Sequence, residues 1–567
     1  MNTAEIIVEV LGKTGVKYMF GVPGGAIEDL NTALYHNRHG ILPIVTKHEE
    51  GAAFMADGYA RLSGHLGVCY STAGPGATNL ITGLVSTYAD QIPVLALTGQ
   101  VPTSVFGRGA IQESGSEGIN LTDIFNNFTK YSSMLVSEGR TQYMLQKAIR
   151  LALSAPEGPV HINMPVDIMK RSVELKKVEL PIDPGGTRLL DVDKASRATE
   201  LLTNAKRPVI IAGWGVYLSR AMPELLELAE LLQIPVATSP KAKGVFPESH
   251  ELSLGVLGFA GSLLAKNYII DNDVDVLLAV GTSFSEMMTN GWDDHIQPTK
   301  HLIHLDVDIE KIGKNYHVSL PVLGDPKMNL KKISQLVKTN NSTGNRRATR
   351  SNLKELRQLL TEEETFISQS NLYHPAQLIL DIQRFFPSNS IFFADIGTSM
   401  SWAIHYMIID HPASFFVSLG YGSMGYAVAA PVGAKLAAPD RPVVAIVGDG
   451  SFLMNGFEVA TAVNYKIPVI WVILNNAMLG MVYHGRRLYK EAVPEAMESC
   501  FQRVDYVKIA EGLGARGIRL DATTPVSEVL ATDILESGVP TVLDVWIDDQ
   551  AVPPIHSRIT TMDNHFS

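Results

Sequence analysis

The chain has almost no cysteine. Cys69 and Cys500 are the only two in 567 residues, too few for a disulfide framework and without a CxxC pair for zinc. An excess of positive charge is also missing. Lys and Arg number 47 against 58 Asp and Glu, a net charge of −11, and Arg346 to Arg350 reads as a short exposed linker rather than a basic surface, so a nucleic-acid partner is excluded. Every apolar run falls far short of the ~20 residues of a membrane span, which argues against a membrane partner. The opening MNTAEIIVEVLGKTG has acids where a signal peptide needs basic residues, and its apolar positions repeat at helical spacing. These absences point to a reducing, cytoplasmic setting.

What the chain does have is alternation. With 46% hydrophobic and 19% charged residues, its length suits three or four α/β domains. Residues 1–175 alternate helix and strand, with strands at Tyr18 to Gly21, Leu42 to Val45, Gly67 to Tyr70 and Val94 to Leu97. A second α/β region spans 188–340, after the Pro/Gly-rich linker LPIDPGGT at 180–187, and is closed by the polar stretch KTNNSTGNRRATRSN. A third spans 370–550, and 551–567 form a tail. The first and third regions echo each other. Each runs helix, strand, Gly-x-Gly, helix, Ile-Pro-Val, strand, with 18 positions from Gly74 to Ile92 and 19 from Gly448 to Ile467. Two copies of one doubly wound fold are expected.

The most informative stretch is 442–478. A β-branched run, Val443 to Val447, leads into Gly448, Asp449 and Gly450. A helical period from Phe452 to Val463 follows, then a second apolar strand from Val469 to Leu474 that ends in Asn475 and Asn476. In a βαβ unit both strands deliver their carboxyl ends to one edge, so Asp449 and Asn476 can meet there across 27 positions. A carboxylate, an amide oxygen and a backbone carbonyl are hard ligands too few to close a cage, which suits Mg²⁺ shared with a ligand's phosphates. Gly450 permits close backbone approach, and the helix near Ser451 offers free N–H groups. GDG alone is equally a strand-to-helix turn with an incidental acid.

GDGSF followed by the LNN pair resembles the signature of the thiamine diphosphate (ThDP) superfamily that includes pyruvate decarboxylases and acetolactate synthases, and the resemblance extends over nearly the whole chain. It implies three doubly wound parallel-sheet domains in the order pyrimidine, middle and diphosphate. It implies Mg²⁺ held by Asp449, Asn476 and the backbone of Met478, beside Gly448, Gly450 and Ser451. It also implies a homodimer or homotetramer whose sites lie between subunits and whose substrates are small 2-oxo acids.

HEEGAA is similar to the acetolactate synthase form of the motif whose Glu contacts the aminopyrimidine and promotes loss of the thiazolium proton. That implies Glu49, rather than Glu50, as catalytic, although an acid at a helix start also serves as a plain cap. The resemblance further places Val22, Pro23, Gly24 and Gly25, Asn79 of AGPGATN, Gly397, Thr398 and Ser399 of DIGTSMSW, and Gly422 and Met424 of GYGSMGY at the cofactor. Met454, as the residue that bends ThDP, and Met481 of LGMV join them. GAIQESG resembles the synthase loop and keeps Gln112 as a second catalytic candidate. The His-His pair of pyruvate decarboxylases is missing, which favours condensation with a second carbonyl over aldehyde release. The alternatives are a simple decarboxylase and a non-catalytic paralogue.

The chain departs from the synthase pattern at several points. GTSFSEM (281–287) lacks both arginines of the corresponding segment, which puts FAD in doubt; Val166 replaces a lysine, Ile111 an aromatic and Gly485 a tryptophan. Loss of an indole is expected to enlarge the acceptor pocket, with Ile111, His484, Gly485, Arg486 and Arg487 near the substrate, unless these are surface residues of a loop.

Overall fold

The computed structural model describes residues 1–173, 188–270, 273–341, 371–489 and 497–557, with Leu353, Phe366 and Thr561. The linker at 180–187, the arginines at 346–350 and most of the polar stretch around them lie outside the described residues.

Three six-stranded, all-parallel sheets are present. The first contains β1 (Tyr18–Gly21), β2 (Leu42–Val45), β3 (Gly67–Ser71), β4 (Val94–Gln100), β5 (Ser132–Met134) and β6 (Val160–Pro165), in the order 2-1-3-4-6-5. The second contains β7 (Pro208–Ala212), β8 (Val236–Thr238), β9 (Ser253–Val256), β10 (Val276–Val280), β11 (His301–Asp306) and β12 (Leu320–Leu323), in the order 12-11-10-7-8-9. The third contains β13 (Ile391–Ala394), β14 (Phe415–Phe416), β15 (Val443–Gly448), β16 (Val469–Asn475), β17 (Arg516–Leu520) and β18 (Thr541–Trp546), in the order 14-13-15-16-18-17. Subtracting twelve from each number of the third sheet gives the first, so the sequence echo is an identity of topology. The second sheet has the strand order of a dinucleotide-binding fold.

The inner strands are runs of Val, Ile, Leu and Ala buried on both faces, as parallel strands between helix layers require. The helical period from Phe452 to Val463 divides into two helices, Asp449–Asn455 and Glu458–Asn464. The break is at Gly456, where a Cβ would lie 2.8 Å from the Phe452 ring, so the chain turns at its one residue without a side chain.

The first and third sheets are joined through two helices, Glu49–Ser63 and Tyr426–Ala437. They cross at small residues: Gly58 lies on the backbone of Ala430, and Gly433 on that of Met55. At the far end of this crossing sits a charge cluster whose centre has no access to water. Arg61 Nε is 2.9 Å from Asp57 Oδ1 and its Nη2 is 2.9 Å from Asp90 Oδ2, all three side chains being fully buried. The second domain contributes Lys241, 2.9 Å from Asp90 Oδ1, and Trp214, whose Nε1 donates to Asp90 O. The third contributes Tyr426, whose hydroxyl donates to Asp57 Oδ1 at 2.6 Å, and Ser418, whose hydroxyl donates to Asp90 Oδ2. Burial acts to raise Asp90, but Lys241 and Arg61 outweigh it and hold the carboxyl below its ordinary value.

Breaking a buried pair leaves an uncompensated charge and costs about 3–5 kcal/mol. Arg61→Met should therefore lower the midpoint of chemical denaturation sharply. Lys241→Met should do so less, because Asp90 keeps Arg61 and the Lys241 side chain is 21% exposed. Equal, small shifts in circular dichroism titrations would show that the cluster does not hold the domains together.

Candidate active site

The carboxyl edge of the third sheet carries the glycine-rich turns. Asp449 is 1% exposed. Its Oδ1 accepts from Gly450 N at 2.7 Å, and its Oδ2 from Asn476 N at 3.0 Å and Ala477 N at 2.6 Å. The strand ends therefore meet through the Asp449 carboxylate and the backbone after β16. None of these three donors carries a full charge. Burial pushes Asp449 up to about 6, with the surrounding N–H groups acting against it. A Cβ on Gly450 would lie 2.6 Å from Leu479 Cδ2, so this position is confined to glycine unless Leu479 moves. A Cβ on Gly480 would lie 3.1 Å from Thr398 Cγ2 and 3.4 Å from Asn476 Nδ2, which places Thr398 and Asn476 side by side. Ser399 is the second residue of the helix Thr398–Tyr406, but its hydroxyl turns inward and donates to Asp395 O at 2.8 Å. Ser451 Oγ donates to Ile396 O at 3.3 Å. Gly397 and Gly422 adopt φ of 135° and 80°, with nothing within 4 Å of a Cβ. Met478 pairs with Cys500 across an isolated bridge, and Met481 packs on the third domain's core.

The first sheet presents its own cluster. Glu49 opens its helix after the cap His48 and is 7% exposed; Asn79 Nδ2 donates to its Oε2 at 2.9 Å. Gly76 lies against the other oxygen, 3.0 Å from where its Cβ would be. Gly24, in the turn Val22 to Gly25 after β1, packs on Thr72, while Gly25 faces open space. Gln112 has φ +63° and lies against Gly74. Ser114 fixes this loop: its N–H donates to Gln100 Oε1, its hydroxyl donates to Gln112 O, and it accepts from Gly74 N. Glu50 points elsewhere. Burial raises its carboxyl, with His48 and Asn455 of the third domain acting against the rise.

Glu49 faces away from its own third domain. Gly51, Met55 and Gly58 meet Glu458, Gly433 and Ala430 of that domain, and at about 100° per residue they lie on the side of the helix opposite Glu49. Glu458 also accepts from Lys47 N at 3.0 Å and His48 N at 2.9 Å, which fixes the entry to the helix.

Of the residues expected near the acceptor, His484, Gly485, Arg486 and Arg487 lie on a helix, Gly480–Tyr489, rather than a loop, and Ile111 lies in a turn. Gly485 has nothing within 4 Å of a Cβ. His484 is 3% exposed, and burial, reinforced by Arg487, pushes it down to about 4. Arg486 pairs with Glu498 at 2.6 Å, and Arg487 donates to Tyr483 and Gln550. Ile111 is 88% exposed, and Met454 55%.

Two parallel-sheet domains of one topology, one presenting an acid and the other a GDG turn, flank a dinucleotide-type middle domain, and the domain family models identify the class. Residues 1–119 match the N-terminal TPP-binding domain of thiamine pyrophosphate enzymes, 195–333 the central domain and 395–545 the C-terminal TPP-binding domain. The chain is 37% identical to a probable acetolactate synthase large subunit of Methanocaldococcus jannaschii, over 99% of this chain and 95% of that one. It is 35% identical to that of Methanococcus aeolicus, over 98% and 94%, and 33% identical to an acetolactate synthase of Mycobacterium bovis, over 98% and 90%. The chain belongs to the acetolactate synthase family of thiamine pyrophosphate enzymes.

Sequence reasoning did not single out the braces behind the site. Tyr506 OH donates to Asp449 O at 2.9 Å, and Tyr506 N donates to the buried Asp544. Asp544 also accepts from Asn475 Nδ2 at 2.8 Å. Only the Asn pair was visible as a motif; Asp544 lies 69 residues beyond Asn475.

The burial of Asp449 carries a pH signature. An acid raised from 3.8 to about 6 on folding imposes no penalty below its unfolded pKa. The penalty grows as pH rises to the folded pKa and then levels off at about 3 kcal/mol. In metal-free protein, Asp449→Asn should gain thermal stability over the parent as pH rises from about 4 to about 6. A constant difference between the two melting curves would contradict this.

Proposed function

We propose that this protein decarboxylates a 2-oxo acid, pyruvate first among them, and joins the retained acyl unit to a second carbonyl, with ThDP and Mg²⁺ as cofactors. The observation that carries the reading is the pair of edges just described: Glu49 held by Asn79 on one domain, and Asp449 buried among N–H donors of two strand ends on the other. The residues fit the cofactor. Asp449, the Asn476 amide and the Met478 backbone would hold the cation, which would offset the cost of burying a carboxylate among neutral donors. The turns at Gly397, Gly422 and Gly450 would lie against the diphosphate and pyrimidine, and Met454 would support the bend. When bound, ThDP supplies the nucleophilic carbon that adds to the oxo acid and retains its acyl unit as CO₂ leaves.

Glu49, as acid and base, would exchange a proton with the aminopyrimidine, the Asn79 amide fixing its orientation. Gln112, held by Ser114 at the same edge, would contact the reacting carbonyls. Because Glu49 faces away from its own third domain, each site would be completed by a second copy of the chain. The exposed Leu453, Met454 and Phe457 (48%, 55% and 69%) are the apolar surface such a copy would cover.

Flavin fits less well. Residues 281–291 contain no arginine, Phe284 is buried against His304 and Tyr316, and the N–H groups of Gly213 and Gly215 donate to Val280 O and Gly281 O. The purified protein should therefore show no stoichiometric flavin absorption.

Mass spectrometry of products from pyruvate, alone and with larger 2-oxo acids or aldehydes, tests the reaction. Condensation products are expected; free aldehyde alone would make the protein a decarboxylase. Met481 and Gly485 share a helix face, and the open space at Gly485 accepts a larger residue. Gly485→Trp should reduce turnover with bulky oxo acids at least tenfold more than with pyruvate. Equal losses, or none, would remove the enlarged pocket.

A further inference from the structure

Asp395 stands at the end of β13, is 0% exposed and so reaches no ligand, yet it bonds to two glycine-rich turns of the third sheet and to the strand that leads into a third. Its Oδ1 accepts from Ile396 N at 2.8 Å, fixing the turn that leads to Gly397 and Thr398. Its Oδ2 accepts from Gly425 N at 2.8 Å, fixing the end of the GYGSMG turn. Its own N–H donates to Ile446 O at 2.9 Å, two residues before Gly448, and its carbonyl accepts from the Ser399 hydroxyl. Ser451, within the GDGS turn, completes the set by donating to Ile396 O. Burial pushes the carboxyl up, and the N–H and hydroxyl donors around it act against the rise.

We infer that Asp395 is a positioning residue: one buried carboxylate that holds the 395–399, 422–425 and 448–451 turns in mutual register, and with them the two ends of the cofactor. The role rests on the functional reading above. The chemistry calls for a carboxylate in particular. Two oxygens accept two N–H groups from different turns, whereas an amide keeps one acceptor and turns an N–H₂ toward the other donor, so one turn is released. Hydrogen bonds to a charged group are the stronger class, and their loss falls on the relative placement of the turns rather than on any contact with a ligand.

The test compares parent, Asp395→Asn and Ser399→Ala. Ser399→Ala removes the hydroxyl tie to the Asp395 carbonyl and leaves the carboxylate unchanged, so it isolates the carboxylate's share; if Asp395→Asn does not fold, Asp395→Glu, which keeps both acceptor oxygens but displaces them by one methylene, takes its place with the same readouts and the same expected losses. ThDP dissociation constants are measured by calorimetry with Mg²⁺, and exchange of the cofactor's C2 proton at saturating ThDP by quenched NMR. Asp395→Asn should weaken ThDP binding at least tenfold and, at saturation, slow C2 exchange at least tenfold, since a displaced 422–425 turn misaligns the pyrimidine with Glu49. Ser399→Ala should show a smaller loss in both. Unchanged affinity and exchange in the folded variants would overturn the role, as would a loss of thermal stability with both cofactor readouts unchanged. A parent protein that binds no ThDP would instead remove the functional reading, and this role with it.

Discussion

One guanidinium orients the rest of the molecule. Arg61 lies on the helix that begins with Glu49, bonds to Asp57 on the same helix and to Asp90 at the end of the helix Ile81–Asp90, and lies over the rings of Trp214 and Tyr426 at 5.1 and 5.3 Å. Each of the three domains supplies a ring or a polar group to it or to its carboxylates. A charge this deeply buried tolerates little displacement, because any separation leaves it uncompensated at low dielectric. The helix carrying Glu49 and the helix that follows the 422–425 turn are thereby held at a fixed angle, with the glycines at their crossing allowing backbone contact.

That angle has a functional consequence. With Gly51, Met55 and Gly58 against the chain's own third domain, Glu49 faces outward, toward Asn79 and the Gly74 to Gly76 turn. The other edge, with its open glycines and exposed Met454 and Phe457, is likewise turned to the surface. On the function proposed above, a single chain would carry two half-sites, and a chemistry that needs an acid over one end of a cofactor and a cation at the other would call for two chains. Electrostatics agrees with that reading: Asp449 is buried and ringed by neutral donors, and a bound cation would offset the cost.

Much of this was legible in the sequence because it is local. Strand boundaries follow apolar β-branched runs, the helix Glu49–Ser63 ends where Gly64 adopts φ +69°, and the echo between HEEGAA…AGPGATN and GYGSMGY…GDGSF reflects two sheets of one strand order. The split helix after Asp449 was not legible, since periodicity continues through Gly456 and only the Phe452 ring shows why the chain must turn. The choice between Glu49 and Glu50 was not fixed by residue type either; in the structure one bonds to Asn79, whereas the other turns toward Asn455. The braces at Asp395, Tyr506, Asp544 and Glu458 stayed hidden because a buried polar residue is recognised by its partners, and most of these come from distant segments of the chain.

The central claim is that each site is built from the Glu49 edge of one chain and the Asp449 edge of another. Mixing chains carrying Glu49→Gln with chains carrying Asp449→Asn, each inactive alone, tests it most directly. Random pairing makes about half of the dimers mixed, and each mixed dimer has one unaltered site, so about one quarter of parental activity should return. No recovery from verified mixed dimers would mean that each site lies within one chain, contradicting the account.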